Sequence, residues 1–300
     1  MAVYRRRNKL NNAKSVNDYI EELKKDNKKV HYIAYLMIGV LILVLVVSVL
    51  KQFYLTLILL SAALLIQFLV FRRVQQDYIK KCENANLSLT TMRKIDADLI
   101  EEKGACITEE IVEKAHIIPF VPKTFTAFKA IKGHKDGIEI ISSDISVVER
   151  KKDNGIAADV CTGNWIHFNI NDHTDIHAII IEDDLIADTS GKTFFDNSEY
   201  KEIELPEGFP KRFHMYVPVI ASQDTLLPND SFLNKFKSLS DYTPGKIGVS
   251  ISDVSIDLFI KNRFLAAGFS PKQPVDEATL MRDPYPELVH ALELTKYLSK

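Results

Sequence analysis

From Ile33 to Phe71 the chain is an almost unbroken apolar run, interrupted once by Lys51 and Gln52. The first limb, Ile33–Leu50, has no charge and Ser48 as its polar interruption; the second, Phe53–Phe71, is broken only by Thr56, Ser61 and Gln67. Roughly 20 residues at about 1.5 Å rise each cross a hydrocarbon core of roughly 30 Å. In hydrocarbon the backbone must satisfy its own hydrogen bonds, so such runs are expected to be helical. The pattern therefore predicts two transmembrane helices folded into a hairpin, anchored at Ile33 and Leu50 in one limb and at Phe53 and Phe71 in the other. A single continuous helix of about 40 residues would overshoot the bilayer by some 30 Å.

Outside that run the periods change. Ser15–Lys29 reads as a short helix entering the membrane, with Ser15 as its cap and Val16, Ile20 and Leu23 on one side. Helical spacing continues past Phe71 through Val74, Tyr78 and Ile79 to about Cys82, and a further helix is expected from about Ser88 to Lys103, ended by Gly104. Thr108–Ala115 is the next helix, capped by Thr108 with Glu109 and Glu110 at its positive end; Pro119 and Pro122 stop it. From Gly133 the period becomes two. Ile138–Glu149 alternates, Arg150–Gly155 is a charged turn, and Trp165–Ile170 with Ile176–Glu182 reads as a β-hairpin across a polar loop, Asn171–Asp175. Shorter strands follow near Thr193–Phe195, Lys201–Leu205 and Arg212–Val217.

Pro228-Asn229-Asp230 then opens a helix with Phe232, Leu233, Phe236 and Leu239 on its apolar face. Ile247–Ile251 and Val254–Ile260 form a second hairpin, and a Pro-rich loop from Pro271 to Pro286 leads to a last helix near Glu287–Leu298. Helices first, then mostly antiparallel strands with an inserted helix, define an α+β fold, with no βαβ alternation and no repeat. The expected organisation is a basic segment over residues 1–31, the hairpin over 32–71, a helical stalk and linker over 72–132, and an α+β domain over 133–300.

Charge orients the hairpin. Arg5, Arg6, Arg7, Lys9, Lys14, Lys24, Lys25, Lys28 and Lys29 precede it, Arg72, Arg73, Lys80 and Lys81 follow it, and the turn holds Lys51 alone. The positive-inside rule places both termini in the cytoplasm, at the inner membrane, and the turn outside. Tyr32, Tyr35 and Phe71 then fall at the inner boundary, and Phe53 and Tyr54 at the outer one. The formal net charge is −2; residues 1–29 carry nine basic and four acidic side chains, so the remainder is acidic by seven. The basic tail suits anionic headgroups, or serves only as a topology signal, and the acidic remainder argues against nucleic acid as a partner. Three cysteines, Cys82, Cys106 and Cys161, form no CxxC and fit a reducing compartment.

Candidate chemistry is sparse. The densest polar cluster runs His167, Asp172, His173, Asp175, His177, Glu182, Asp183, Asp184. His173 and His177 stand four apart, a spacing that on a helix puts two imidazoles on one face for zinc. Their surroundings alternate, however, so they are expected to flank a β-turn, and no Glu follows His173 as a general base. The residues a metal would use are His167, His173, His177 and Asp175; the plainer reading is a solvated hairpin loop, with no metal or cofactor. Pro244-Gly245-Lys246 lacks the rest of a P-loop, and neither a GxSxG elbow nor a GxGxxG turn occurs. No catalytic residue is assigned. Asp253 and Asp257 are expected to be exposed strand carboxylates.

Several blocks carry a resemblance. They are Ile111–Val121 leading into Gly133–Asp144 (GHKDGIEIISSD), Glu202–Phe213 within EIELPEGFPKRFHMY followed by Leu226-Leu-Pro228 and Phe232-Leu, and the closing GVSISDVSIDLFI. With the order of segments, they resemble the bacterial membrane family built on domain of unknown function 3137. That resemblance implies a basic N-terminal segment, a two-helix membrane hairpin and a cytosolic α+β domain. It brings no activity and no catalytic residue. Two functional expectations follow: a non-enzymatic module anchored in the lipid bilayer, binding a protein partner at the cytoplasmic membrane face, and, as the alternative, a membrane-bound metal-dependent hydrolase using the His167–His177 region. Oligomeric state is left open.

Overall fold

The computed structural model describes residues 15–51, 53–95, 98–102, 106–118, 122–149, 160–170, 173–186, 199–219, 227–263, 269–282 and 285–298. The turn residue Gln52, the helix-ending Gly104, Pro119, the charged turn Arg150–Gly155, the strand expected near Thr193–Phe195, and Arg5, Arg6 and Arg7 lie outside the described residues. The chain divides into two compact units. One comprises Met1–Thr90 with Ala266–Pro284, the other Thr91–Leu265 with Tyr285–Lys300.

The first unit is helical. Helix α1 spans Val16–Val49 without a break. Ser15 caps it in a reciprocal box: its hydroxyl accepts from Asp18 N at 3.2 Å, while the Asp18 carboxylate accepts from Ser15 N at 2.8 Å. The short entry helix and the first apolar limb are thus one element, because nothing between Lys29 and Ile33 breaks helix. The chain reverses at Leu50–Lys51, where Lys51 takes φ 57°, and α2 runs over Phe53–Leu65. A π-helical stretch, Ile66–Phe71, joins it to α3, Arg72–Leu89. The expected helix from Ser88 to Lys103 does not form: α3 ends at Leu89, α4 is the short turn Thr91–Ile95, and the chain enters strand β1 at Ile100–Glu102. Thr90 closes α3 by bonding its hydroxyl to Asn86 O at 2.7 Å, a side-chain competitor for the backbone at that turn.

At its charged end this unit has a core. Leu23 and Val30 of α1 meet Tyr78, Cys82, Ala85 and Leu89 of α3, with Phe269, Val275 and Leu280 from the returning segment. That segment carries the one-turn helix α7 (Glu277–Leu280), and is pinned by Asn86 Nδ2, which donates to the carbonyls of Leu280 and Arg282 at 2.7 and 2.6 Å. Asp26 bridges α1 to α3 through Lys81 at 2.5 Å. Toward the turn the picture inverts. Val49, Phe53, Tyr54 and Leu69 are 80%, 72%, 82% and 66% exposed. Only 11% of the most apolar window of α1, and 6% of that of the second helical run, is buried, so these are not core helices of a globular body. Among the described residues, the unit holds two helices long and apolar enough to cross a membrane.

Among the described residues, the second unit forms a nine-stranded antiparallel sheet in the order β1-β2-β3-β4-β9-β8-β5-β7-β6. Its later strands are β2 Pro122–Lys135, β3 Ile138–Glu149, β4 Val160–Asn169, β5 Ala178–Glu182, β6 Tyr200–Ile203, β7 Phe213–Pro218, β8 Ile247–Ser252 and β9 Ser255–Lys261. The sheet thus begins well before Gly133. Strand β2 pairs with β3 through the two-residue turn Asp136-Gly137, whose φ values of 50° and 89° are those of a hairpin turn that Asp-Gly favours. The closing hairpin, β8 with β9, forms as its alternation predicts.

The hairpin expected between Trp165–Ile170 and Ile176–Glu182 does not form. Strand β4 lies between β3 and β9, and β5 between β8 and β7. Ile170 N and Thr174 N donate instead to the carbonyls of Val254 and Asp253 at the β8–β9 turn, both at 2.8 Å. Both faces of the sheet are covered. On one, Ile145, Val147, Cys161, Trp165, Ile179, Ile181, Tyr216 and Phe259 pack with Val112 and Ala115 of α5 (Glu109–Ala115) and with Ile107, Ile117 and Ile118. On the other lie α6 (Asp230–Tyr242), capped by Asn229, and α8 (Pro286–Thr295). These two helices pack together; α8 meets β4, and Phe236 of α6 meets Phe213 of β7 edge-on at 5.4 Å.

Candidate functional site

The register of β4 against β9 sets His167 opposite Asp257 and Trp165 opposite Phe259. Directly opposed residues point to the same face of the sheet. Asp257 is therefore buried beneath two aromatic neighbours, with 4% of its surface accessible, and is not the exposed carboxylate that alternation suggested. It is fully engaged. Oδ1 accepts from Trp165 Nε1 and from His167 Nδ1, each at 2.8 Å, and Oδ2 accepts from Ser255 Oγ at 3.2 Å. Ser252 Oγ lies 2.9 Å from Ser255 Oγ and extends the chain of hydroxyls. Because a carboxylate only accepts, the His167 proton is fixed on Nδ1. Burial alone would push the imidazole down; the Asp257 hydrogen bond and charge, with Glu139 further off, outweigh it and raise the pKa above 6.5.

Two further polar clusters sit on the sheet. His214 on β7 is held between Glu202 Oε1 and Asp183 Oδ1, each at 2.8 Å, and is also raised: burial opposes its charge and the two carboxylates overcome that. On the opposite face the buried Glu182 accepts from Lys246 Nζ at 3.3 Å and from the amide of Ile247 at 3.2 Å, and pairs in charge with Arg212 Nε at 3.1 Å without a hydrogen bond. Arg212 reaches on to Asp241 at 2.8 Å, and the hydrogen bonds of Lys237 and Arg212 hold that carboxyl below its ordinary range. Chemically, the first two clusters are proton-holding devices and the third is a network of fixed charge.

The metal-site candidates are not brought together. His167 is committed to Asp257, while His177 Nε2 contacts Asp253 Oδ1 at 2.6 Å beside the β8–β9 turn. His173 and Asp175 are exposed. Among the described residues no group of three or more His, Cys, Asp or Glu is arranged to hold a metal ion. Of the anchoring residues, Leu50 and Phe53 flank the reversal and are exposed, whereas Ile33 and Phe71 are half-buried between the helices. Lys28, Lys29, Arg72 and Arg73 are exposed at the other end of the apolar run, with the Arg72 guanidinium 4.7 Å over the Phe68 ring.

Sequence reasoning weighed Asp257 only as an exposed strand carboxylate, and it singled out neither the Trp165 and Ser255 contacts to it nor the His214 clasp. A signal was present: Trp165 and Phe259 share the strand phase of His167 and Asp257, so that phase of both strands had to face a core. No family model matches the chain, and neither a curated protein nor a solved structure shows a significant match to it.

Proposed function

We propose that this protein is a multi-pass membrane-anchored module whose α+β unit works in the cytoplasm as a binding or scaffold domain at the inner membrane. The observation that carries the reading is the band of exposed apolar side chains on α1 and α2, which water does not tolerate and lipid does. Orientation rests on the cations gathered at one end of that band, Lys28, Lys29, Arg72 and Arg73, against Lys51 alone at the other. The resemblance to the family built on domain of unknown function 3137 supports the same layout. On the sheet unit, the polar clusters are tied up by partners from within the chain, an arrangement suited to rigidity. In-cell crosslinking followed by affinity capture from detergent-solubilised membranes tests the binding role. A reproducible protein partner that is lost when residues of the sheet unit are altered is expected; background alone removes the reading.

A further inference from the structure

A groove of about 470 Å³ opens between α1 and α3, lined by Lys28, Lys29, Tyr32, Ile33 and Val74. Three features define what fits it. Its depth is set by the chain: Ile33 is the first residue of the apolar limb, and Val74 stands three residues past Phe71, the last residue of the other limb. The groove therefore lies where hydrocarbon gives way to headgroups. Its walls at that level are apolar, from Tyr32, Ile33 and Val74. Its charged rim is cationic. Asp26 is shared by two ammonium groups, Lys29 at 2.7 Å and Lys81 at 2.5 Å, so that cluster retains positive charge, and Lys28, Arg72 and Arg73 add to it. Glu22 and Asp77 are the further acids that act on Lys81.

We infer that this groove is a binding site for one anionic glycerophospholipid. The phosphate accepts hydrogen bonds from the Lys28 and Lys29 ammonium groups, and the head of an acyl chain lies along Tyr32, Ile33 and Val74. A zwitterionic lipid brings a choline cation to the same lysines and is disfavoured. The site rests on the membrane reading above and adds to it a selectivity that a plain anchor lacks.

The test uses the full chain reconstituted in nanodiscs of equal parts phosphatidylcholine and phosphatidylglycerol. Lipids retained on the protein after release into detergent are measured by mass spectrometry. Wild type is expected to retain phosphatidylglycerol over phosphatidylcholine, with a preference of about fivefold per lysine as an upper scale. K28Q/K29Q is expected to lose that preference while still entering nanodiscs. Val74→Trp, which fills the groove, should lower retention of both lipids. Neutralising Arg5, Arg6 and Arg7 should leave the preference in place, separating the groove from diffuse attraction by the tail. Equal retention of both lipids by wild type, or a preference unchanged in K28Q/K29Q, overturns the site alone. Failure of wild type to enter nanodiscs overturns the site together with the membrane reading on which it rests.

Discussion

Asp257 is where single side chains matter most. Removing one member of a buried, charge-assisted set strands its partners without water, so Asp257→Ala is expected to cost about 3–5 kcal/mol of stability. Trp165 is the only tryptophan in the chain and donates directly to Asp257, which makes its fluorescence a local reporter of unfolding. The His167 interaction carries a pH dependence of known sign. Its folded pKa lies above the unfolded value, so its contribution is fully present below about pH 6.5 and is lost as pH rises through the raised folded value. His214 acts in the same direction, more weakly because it is more exposed. The thermal midpoint followed by Trp165 fluorescence should fall between pH 6 and pH 8, and His167→Gln should flatten that slope. A midpoint that rises over this range would contradict the assignment. Gly163 provides a steric counterpart: a Cβ there would sit 2.2 Å from Ile260 O. Gly163→Ala is expected to destabilise by about 1–3 kcal/mol in denaturant titration, because the neighbour is backbone and cannot step aside cheaply.

Elements were legible wherever a local signal decides them. Ser15 and Thr108 were readable as caps and Pro228-Asn229-Asp230 as a helix opening, and Ser15, Thr108 and Asn229 each cap a helix. Asn229 Oδ1 accepts from Phe232 N at 2.8 Å, and Asn229→Ala should lower the stability of the sheet unit by about 1 kcal/mol in chemical denaturation. The apolar face of α6 was equally clear, since Phe232, Leu233, Phe236 and Leu239 repeat at helical spacing and all are buried. Elements failed where the deciding contact is distant. Strand β2 carries Lys129, Lys132, His134 and Lys135 among its apolar residues, which blurs its period, although the Asp136-Gly137 turn marked its end. The segment from Ser88 to Lys103 has helical spacing, yet Ile100–Glu102 pairs with Ala130–Lys132 and becomes a strand. Gly133 is part of the reason, because its missing side chain lets the backbone of Asp98 and Leu99 approach it closely.

At the scale of the molecule, orientation is the prediction to test first. Lys51→Cys is expected to react with a membrane-impermeant maleimide from outside intact cells, while a cysteine at Ser15 reacts only after permeabilisation. The reverse pattern would invert the orientation. The apolar run, its single reversal at Lys51 and the gathering of cations on one side follow from composition and order along the chain, because partitioning into hydrocarbon is a property of each segment by itself. Helix caps and the β8–β9 hairpin are likewise settled within a few residues. Strand order is different in kind. That β9 and not β5 lies beside β4, that Asp257 is thereby buried under Trp165, and that Phe269, Val275 and Leu280 return to the core of the helical unit are decided by pairings between residues far apart in the chain. No local pattern encodes such a pairing, because its free energy exists only once both partners are buried together.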